Sequence, residues 1–428
     1  MSKQVWKLKP GADQRIRGHH PWVYSNELAE SPKGIVPGSV IELLDSNGQF
    51  LARGYGNPAS LISFRALTWD SREFDPGSVE SLVKRLGNAW KFRVELGFGE
   101  VSFRLCYGEA DDLPGLVIDR YRTADGQVFS IQAHTAGADR MLENVIHALE
   151  KLETGVAWEK TSIVIRNDLN VRKLEGLEPQ DPKIFKASRD VNDVTIAVRS
   201  ASGGEPLGFR VDLLHGQKTG FFLDQFSNIQ LAVGKIPKST EPLRVLDLCC
   251  YVGQWGAQLT RALGRGTHVT AADASMKALE FARVNVEAAG GICDIQKMDV
   301  MDDLPKLEPH SYDVVICDPP ALIKGRKDLA AGSRGYLKLN TNAMRLVKPG
   351  GWFVSCSCSA LFEESDFVSM LSRSARRNGM EFKWVARGTP SADHPLRTEF
   401  REGHYLKCWI GRAGPNVASR THQVQTPE

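Results

Sequence analysis

Between residues 244 and 356 the chain repeats one pattern five times: a short apolar run at 244–250, 268–272, 295–298, 312–317 and 352–356, with amphipathic stretches between. Apolar runs bounded by short loops and alternating with helical periodicity predict an α/β domain built on a doubly wound parallel sheet. In such a sheet ligands lie outside the C-terminal strand ends, so chemistry is to be sought in the residues that close each run.

Those residues are distinctive. The first run closes in Asp247-Leu248-Cys249-Cys250-Tyr251-Val252-Gly253, where small residues let a backbone approach a ligand, and the second closes at Asp273, placed to accept bonds from ribose hydroxyls. Asp299 follows the third run, and the fourth ends in Asp318-Pro319-Pro320, two prolines that stiffen the exit and hold the preceding carboxylate over the sheet edge. Helix capping explains Asp247 and Asp273 singly, and a surface loop explains Asp299 equally well; the joint placement favours a ligand pocket. A nicotinamide enzyme shares the glycine loop and distant acid, but the Gly-x-Gly-x-x-Gly turn is reduced to Gly253 and Gly256.

At 428 residues the chain predicts two or more domains. We expect a β-rich domain over 1–72, a central α+β domain with a linker helix over 73–190, the α/β domain over 191–412, and a disordered tail over 413–428, polar and aperiodic from Gly411 onward. Strands at 40–44 and 49–54 flank Ser46-Asn47-Gly48, a hairpin turn signal, and a third fits 61–67. A helix is predicted from Ser78, and the Pro-rich Glu178–Pro182 segment reads as a linker. No apolar run approaches the ~20 residues of a membrane span, and the charged N-terminus carries no signal-peptide pattern, so no membrane partner and a cytoplasmic location are expected.

Eight cysteines include Cys249 and Cys250 on one predicted strand and the pair Cys356 and Cys358, with no C-x-x-C, which suits neither a disulfide framework nor a metal site. Cys249, Cys293 and Cys408 read as small buried hydrophobes. Net charge is only +3; basic residues gather at Lys3, Lys7, Lys9, Arg15, Arg17, His19 and His20, and again at Arg166, Arg172 and Lys173, groups best read as solvated faces.

Taken together, several segments resemble one family, the ribosomal RNA large subunit methyltransferase I type. His20-Pro21-Trp22-Val23, Leu51–Gly54 and Pro58–Ser60 look like its N-terminal PUA domain, Gly108–Gly115 and Ile118–Arg120 like its central domain, and Lys218–Gln225, Asp318–Pro320, Arg334–Tyr336, Ser357–Ser359 and Ala392–Pro395 like its catalytic domain. The resemblance implies a Rossmann-like class I methyltransferase domain using S-adenosylmethionine, large-subunit ribosomal RNA as partner, and a PUA-like unit gripping that RNA. It implies that Asp247, Gly253, Asp273, Asp299 and Asp318 line the cofactor site, to which Tyr251 is added, and that Cys358 is the nucleophile. Ala321, Phe226, Trp255 and Asp112 depart from the family pattern, and Cys356 is an additional thiol; oligomeric state, homodimer included, is left open.

The implied chemistry suits the residues. Cytosine carbon 5 is a poor nucleophile until a thiolate adds to carbon 6, and Asp318 would bond or protonate the polar edge of the ring as it does so. An alanine at 321, where amine methyltransferases carry a stacking aromatic, weighs against an exocyclic-amine acceptor, with Tyr336 or Phe222 as other stacking candidates. Guanine nitrogen, a protein side chain, and a non-catalytic RNA-binding role are the alternatives.

Overall fold

The structure, a computed structural model, describes residues 4–414. Its contacts divide the chain into two compact units: the first holds residues up to 197 together with 211–223 and 392–403, and the second holds 198–210, 224–391 and the remainder.

The first unit carries two sheets. In one, the strands run in the order Gln4–Lys7, Ser39–Leu44, Phe50–Gly56, Phe64–Thr68, Trp22–Val23. The expected hairpin turn is present, with the Asp45 carboxylate accepting from the amides of Asn47 and Gln49 and Gly48 at φ +83°. The strand expected from 61 starts only at Phe64. Asn57 and Ser60 side chains bond the amides of Ala59 and Ile62, an alternative to ladder pairing that holds this segment in a turn with Leu61 exposed.

The other sheet has the order Lys183–Lys186, Thr161–Ile165, Gln127–Ala133, Leu116–Arg122, Phe103–Tyr107. Helix Val79–Glu95, capped by the Ser78 hydroxyl, presses Leu82, Leu86 and Ala89 into the core that holds Phe103, Ile118, Ile131 and Ile163. It is thus a wall of this core and not merely a connector; each such aliphatic side chain contributes ~1.5–3 kcal/mol on burial. The Pro-rich segment read as a linker leads directly into Lys183–Lys186, which pairs antiparallel with Thr161–Ile165.

In the second basic group only Lys173 lies on a solvated face. Arg166 and Arg172 are buried, Arg166 on the carbonyls of Leu213 and Gly216, Arg172 on Asp139 at 2.9 Å. In the first group Arg15 pairs with Glu27 and Arg17 with Asp45.

The second unit is built on a seven-stranded sheet in the order Ile292–Lys297, His268–Asp273, Arg244–Leu248, Tyr312–Cys317, Val347–Ser357, Lys407–Ala413, Phe382–Gly388. The first five are parallel, as predicted, but Lys407–Ala413 runs antiparallel to both its neighbours, so the sheet is mixed. Gly411–Ala413 therefore belong to a strand and not to the tail, whose residues 415–428 lie outside the described residues. The first strand stops at Leu248, which puts Cys249 and Cys250 in the following turn. Among the described residues no helix is long and apolar enough to cross a membrane.

Candidate active site

The turn after Arg244–Leu248 is wound tightly. Cys249 and Tyr251, neither a glycine, sit at φ +58° and +49°, and Gly253 follows at +76°. Left-handed backbone at non-glycine residues costs about 1–3 kcal/mol each and persists where surrounding structure enforces it. Here two carboxylates do so. Asp273 accepts from the Tyr251 amide at 3.0 Å and the Ser275 amide at 2.9 Å, joining the first and second turns. Asp247 accepts from the amide of Gly256 at 3.0 Å, in the first turn of helix Gln254–Leu263. Gly253 is confined as well, since a Cβ there would lie 3.0 Å from the backbone of Ala282.

Asp247 is fully buried, and its Oδ1 has no hydrogen-bond partner. Burial pushes its carboxyl up to about 8 against the pull of the Gly256 amide, and the carboxylates of Asp318 and Asp273 add to the rise. A buried acceptor left open at a strand end fits a ligand hydroxyl or ammonium. Asp299 stands apart: it is exposed, accepts from the Met301 amide at 2.8 Å and caps its own turn, which matches the bland reading of that residue.

Asp318 follows Tyr312–Cys317. Its Oδ2 accepts from Gln225 Nε2 at 2.8 Å and from Trp255 Nε1 at 3.1 Å, which fixes the orientation of the carboxyl. Gln225 is itself held by Asn228, whose Nδ2 donates to Gln225 Oε1 at 2.7 Å. Asn228 is completely buried, and a Cβ at Gly388 would fall 1.9 Å from its Oδ1. In the sequence Trp255 stands out only as a departure from the family pattern; in the structure its indole donates to Asp318 and orients it. Gln225 lay in a quoted motif without a role, and Asn228 was missed.

Cys358, the implied nucleophile, and the additional thiol Cys356 lie in different surroundings. Cys356 lies within Val347–Ser357, fully buried opposite Cys408, and burial, then Cys408, pushes its thiol well above the ordinary range. Cys358 is one residue past the strand, partly exposed, and its Sγ donates to the Pro319 carbonyl at 3.9 Å. Lys407 is nearby: its ammonium, bonded to the carbonyls of Ser359 and Tyr405 at 3.0 Å, is lowered by burial while Cys358 acts in the opposite direction. Tyr336 is unavailable for stacking on a base, being fully buried with its hydroxyl 2.9 Å from Ser359 and its ring stacked on Phe362. Phe222 is half-buried beneath the Lys218 ammonium, 4.3 Å from the ring centroid. Of the cysteines expected to be inert, Cys293 and Cys408 are buried, whereas Cys249 is half-buried in the strained turn.

A parallel sheet whose strand ends gather Asp247, Asp273 and Asp318 around a tight glycine turn defines a methyltransferase of the S-adenosylmethionine-dependent fold class. Two family models match, one described as a PUA-like domain over residues 7–69 and one as a methyltransferase small domain over 223–360. The chain belongs to the ribosomal RNA large subunit methyltransferase I family: it is 33% identical over 422 residues to that protein of Photobacterium profundum, covering 96% of this chain and 100% of the relative, and 32% identical over 415 residues to that of Escherichia coli O9:H4, covering 95% and 98%. The fold is shared with a Streptococcus mutans chain described as a candidate SAM-dependent methyltransferase, at TM-score 0.73, 16% identity, and coverage of 96% of this chain and 100% of that one. A candidate methyltransferase solved in complex with SAH is similar at TM-score 0.74 and 16% identity, with the same coverage.

Proposed function

We propose that this protein methylates carbon 5 of a cytosine in large-subunit ribosomal RNA, with S-adenosylmethionine as donor and Cys358 as nucleophile. The observation that carries the reading is the contrast between the two thiols: Cys358 alone of the pair is accessible and lies against Asp318-Pro319-Pro320, while Cys356 is sealed against Cys408.

S-adenosylmethionine, when bound, supplies an electrophilic methyl. Asp247, with its open Oδ1, together with Tyr251, Gly253 and Asp273 of the joined turns, is suited to hold the donor's polar groups. Asp299, exposed in its own turn, is the weakest member of that set. Cys358 adds to carbon 6 of the base, which lets carbon 5 take the methyl group; loss of the carbon 5 proton to a base then breaks the bond to sulfur, restores the ring and returns the Cys358 thiolate, which the positive charge of Lys407 favours. Asp318, oriented by Gln225 and Trp255, sets its carboxyl toward the polar edge of the ring, where charge develops during addition. A base must leave its stack to reach such a thiol, so single-stranded or unfolded RNA is the expected substrate.

The test is incubation with S-adenosylmethionine and unmodified large-subunit ribosomal RNA, digestion to nucleosides and mass spectrometry. 5-Methylcytidine from wild type and none from Cys358→Ala supports the reaction and nucleophile together. A different methylated nucleoside, produced equally by the variant, overturns the covalent mechanism.

A further inference from the structure

Three of the segments that carry the family resemblance lie outside the chemistry proposed above, yet in the first unit they converge. Trp22 of the His-Pro-Trp segment, the Gly108–Gly115 loop and Pro395 of the Ala-Asp-His-Pro segment line one cavity of about 240 Å³, together with Tyr107, His134 and Phe400. These segments are separated by up to about 370 residues of chain, and each is fixed there by specific bonds. Trp22 Nε1 donates to Glu109 Oε1 at 2.8 Å, and Arg397 donates to the Glu109 carbonyl at 3.1 Å and to Asp112 at 2.7 Å. The Asp393 carboxylate accepts from the Arg104 amide at 2.8 Å. Asp112, a departure from the family's glycine, adopts the left-handed backbone (φ +56°) that explains why a glycine suits this position.

We infer that this cavity binds a single nucleobase of the RNA, one bearing an exocyclic amine, as a second anchoring point distinct from the base that is methylated. The inference rests on the RNA substrate proposed above. Its volume falls below the ~300–1,000 Å³ of drug-sized ligand sites, which suits one planar ring with its sugar left outside. The half-buried indole of Trp22 and phenol of Tyr107 supply flat apolar surfaces of the kind on which unstacked bases rest, and the buried Phe400 ring backs Trp22 edge-on at 4.8 Å. The carboxylates at the cavity, Glu109 and Glu402, accept hydrogen bonds, and the Arg397 guanidinium that also lines it is already paired with Asp112 and Glu399, so the polar edge that enters is an amino-bearing one. His134 adds no charge, because burial pushes its imidazole down to about 4. Cys358 does not line the cavity, so the occupant is another nucleotide of the same RNA.

The test uses the full chain and two variants, Tyr107→Ala, which removes a stacking face, and Glu109→Gln, which keeps an acceptor for Trp22 and removes the charge. Affinity for unmodified large-subunit ribosomal RNA is measured beside S-adenosylmethionine affinity and thermal midpoint. Tyr107→Ala is expected to weaken RNA binding by ~5–150-fold, the range for one lost base stack, with cofactor affinity unchanged. Glu109→Gln weakens it less. In saturation-transfer experiments AMP, CMP and GMP contact the wild-type protein more strongly than UMP, and ribose 5-phosphate does not contact it. Two folded variants with unaltered RNA affinity overturn the proposal, as does ribose 5-phosphate binding as well as the nucleotides. Absence of any methylated product would count against the catalytic reading and leaves these binding measurements intact.

Discussion

The two units treat buried charge in opposite ways. In the first, carboxylates are answered by arginines: Arg65 meets Glu175 at 2.8 Å, Arg104 meets Asp119 at 2.8 Å, Arg93 meets Asp111, and Glu175 also accepts from Asn57 and Ser60. In the second, Asp247 is buried within reach of two further carboxylates, Asp273 and Asp318, and one of its oxygens is unmatched. A paired charge fixes structure, and its loss is felt as unfolding. A carboxylate crowded by its own kind opposes folding and is retained where a ligand will answer it.

Breaking the first arrangement should give the largest effect. Glu175→Ala strands Arg65 and leaves Asn57 and Ser60 without their acceptor, and denaturant titration is expected to show a loss of ~3–5 kcal/mol. A loss below ~1 kcal/mol would mean that the pair does not anchor the turn at 57–63. In the second unit, Asp318→Asn should leave the unfolding midpoint within a few degrees while lowering kcat about 10²–10³-fold, the scale of a lost transition-state contact. An equal fall in stability and rate would erase the distinction between the units.

Asp247→Asn sharpens the comparison through pH. Asp247 ordinarily titrates near 3.8 in an unfolded chain and is raised to about 8 on folding. Between those values the folded state retains a proton that the unfolded state releases, so this residue's favourable contribution is complete below the lower value and is lost as pH rises through the upper, by at most ~1.4 kcal/mol per pH unit. Melting curves of the cofactor-free protein from pH 5 to 8 should therefore decline more steeply in wild type than in Asp247→Asn, while the variant loses S-adenosylmethionine affinity. Parallel pH profiles would show that Asp247 is already ionised in the fold. The smallest effect is expected from Trp255→Phe, which removes a donor to Asp318: kcat falls ~5–10-fold, with KM for RNA and cofactor little changed. A change in KM alone would assign Trp255 to binding.

Of the parallel strands, Ile292–Lys297 carries Asp294 and Gln296 and Val347–Ser357 closes on a serine, but the other three were legible because each is a compact apolar run with an acid at its close, and those closures also announced Asp247, Asp273 and Asp318. The last two strands were not. Phe382–Gly388 alternates half-buried and exposed residues and carries Lys383 and Arg387, and Lys407–Ala413 begins and nearly ends on a charge, so neither reads as a buried run. Lys183–Lys186 was hidden behind two prolines and has an exposed face. Arg166 and Arg172 read as surface because composition cannot show which carbonyls a guanidinium will meet. The donors to Asp318 were invisible for a related reason: Gln225 and Trp255 lie 93 and 63 residues away in sequence, and only the closed sheet brings them to one oxygen.

The crowding at Gly388 has a genetic consequence. A methyl group at that position displaces a fully enclosed Asn228, Asn228 releases Gln225, and Gln225 releases Asp318. A lesion in a peripheral strand, at a residue that meets no substrate, would thus present as a slow enzyme with a lowered melting midpoint, and a screen for damaged active sites that looked only at the pocket would pass over it.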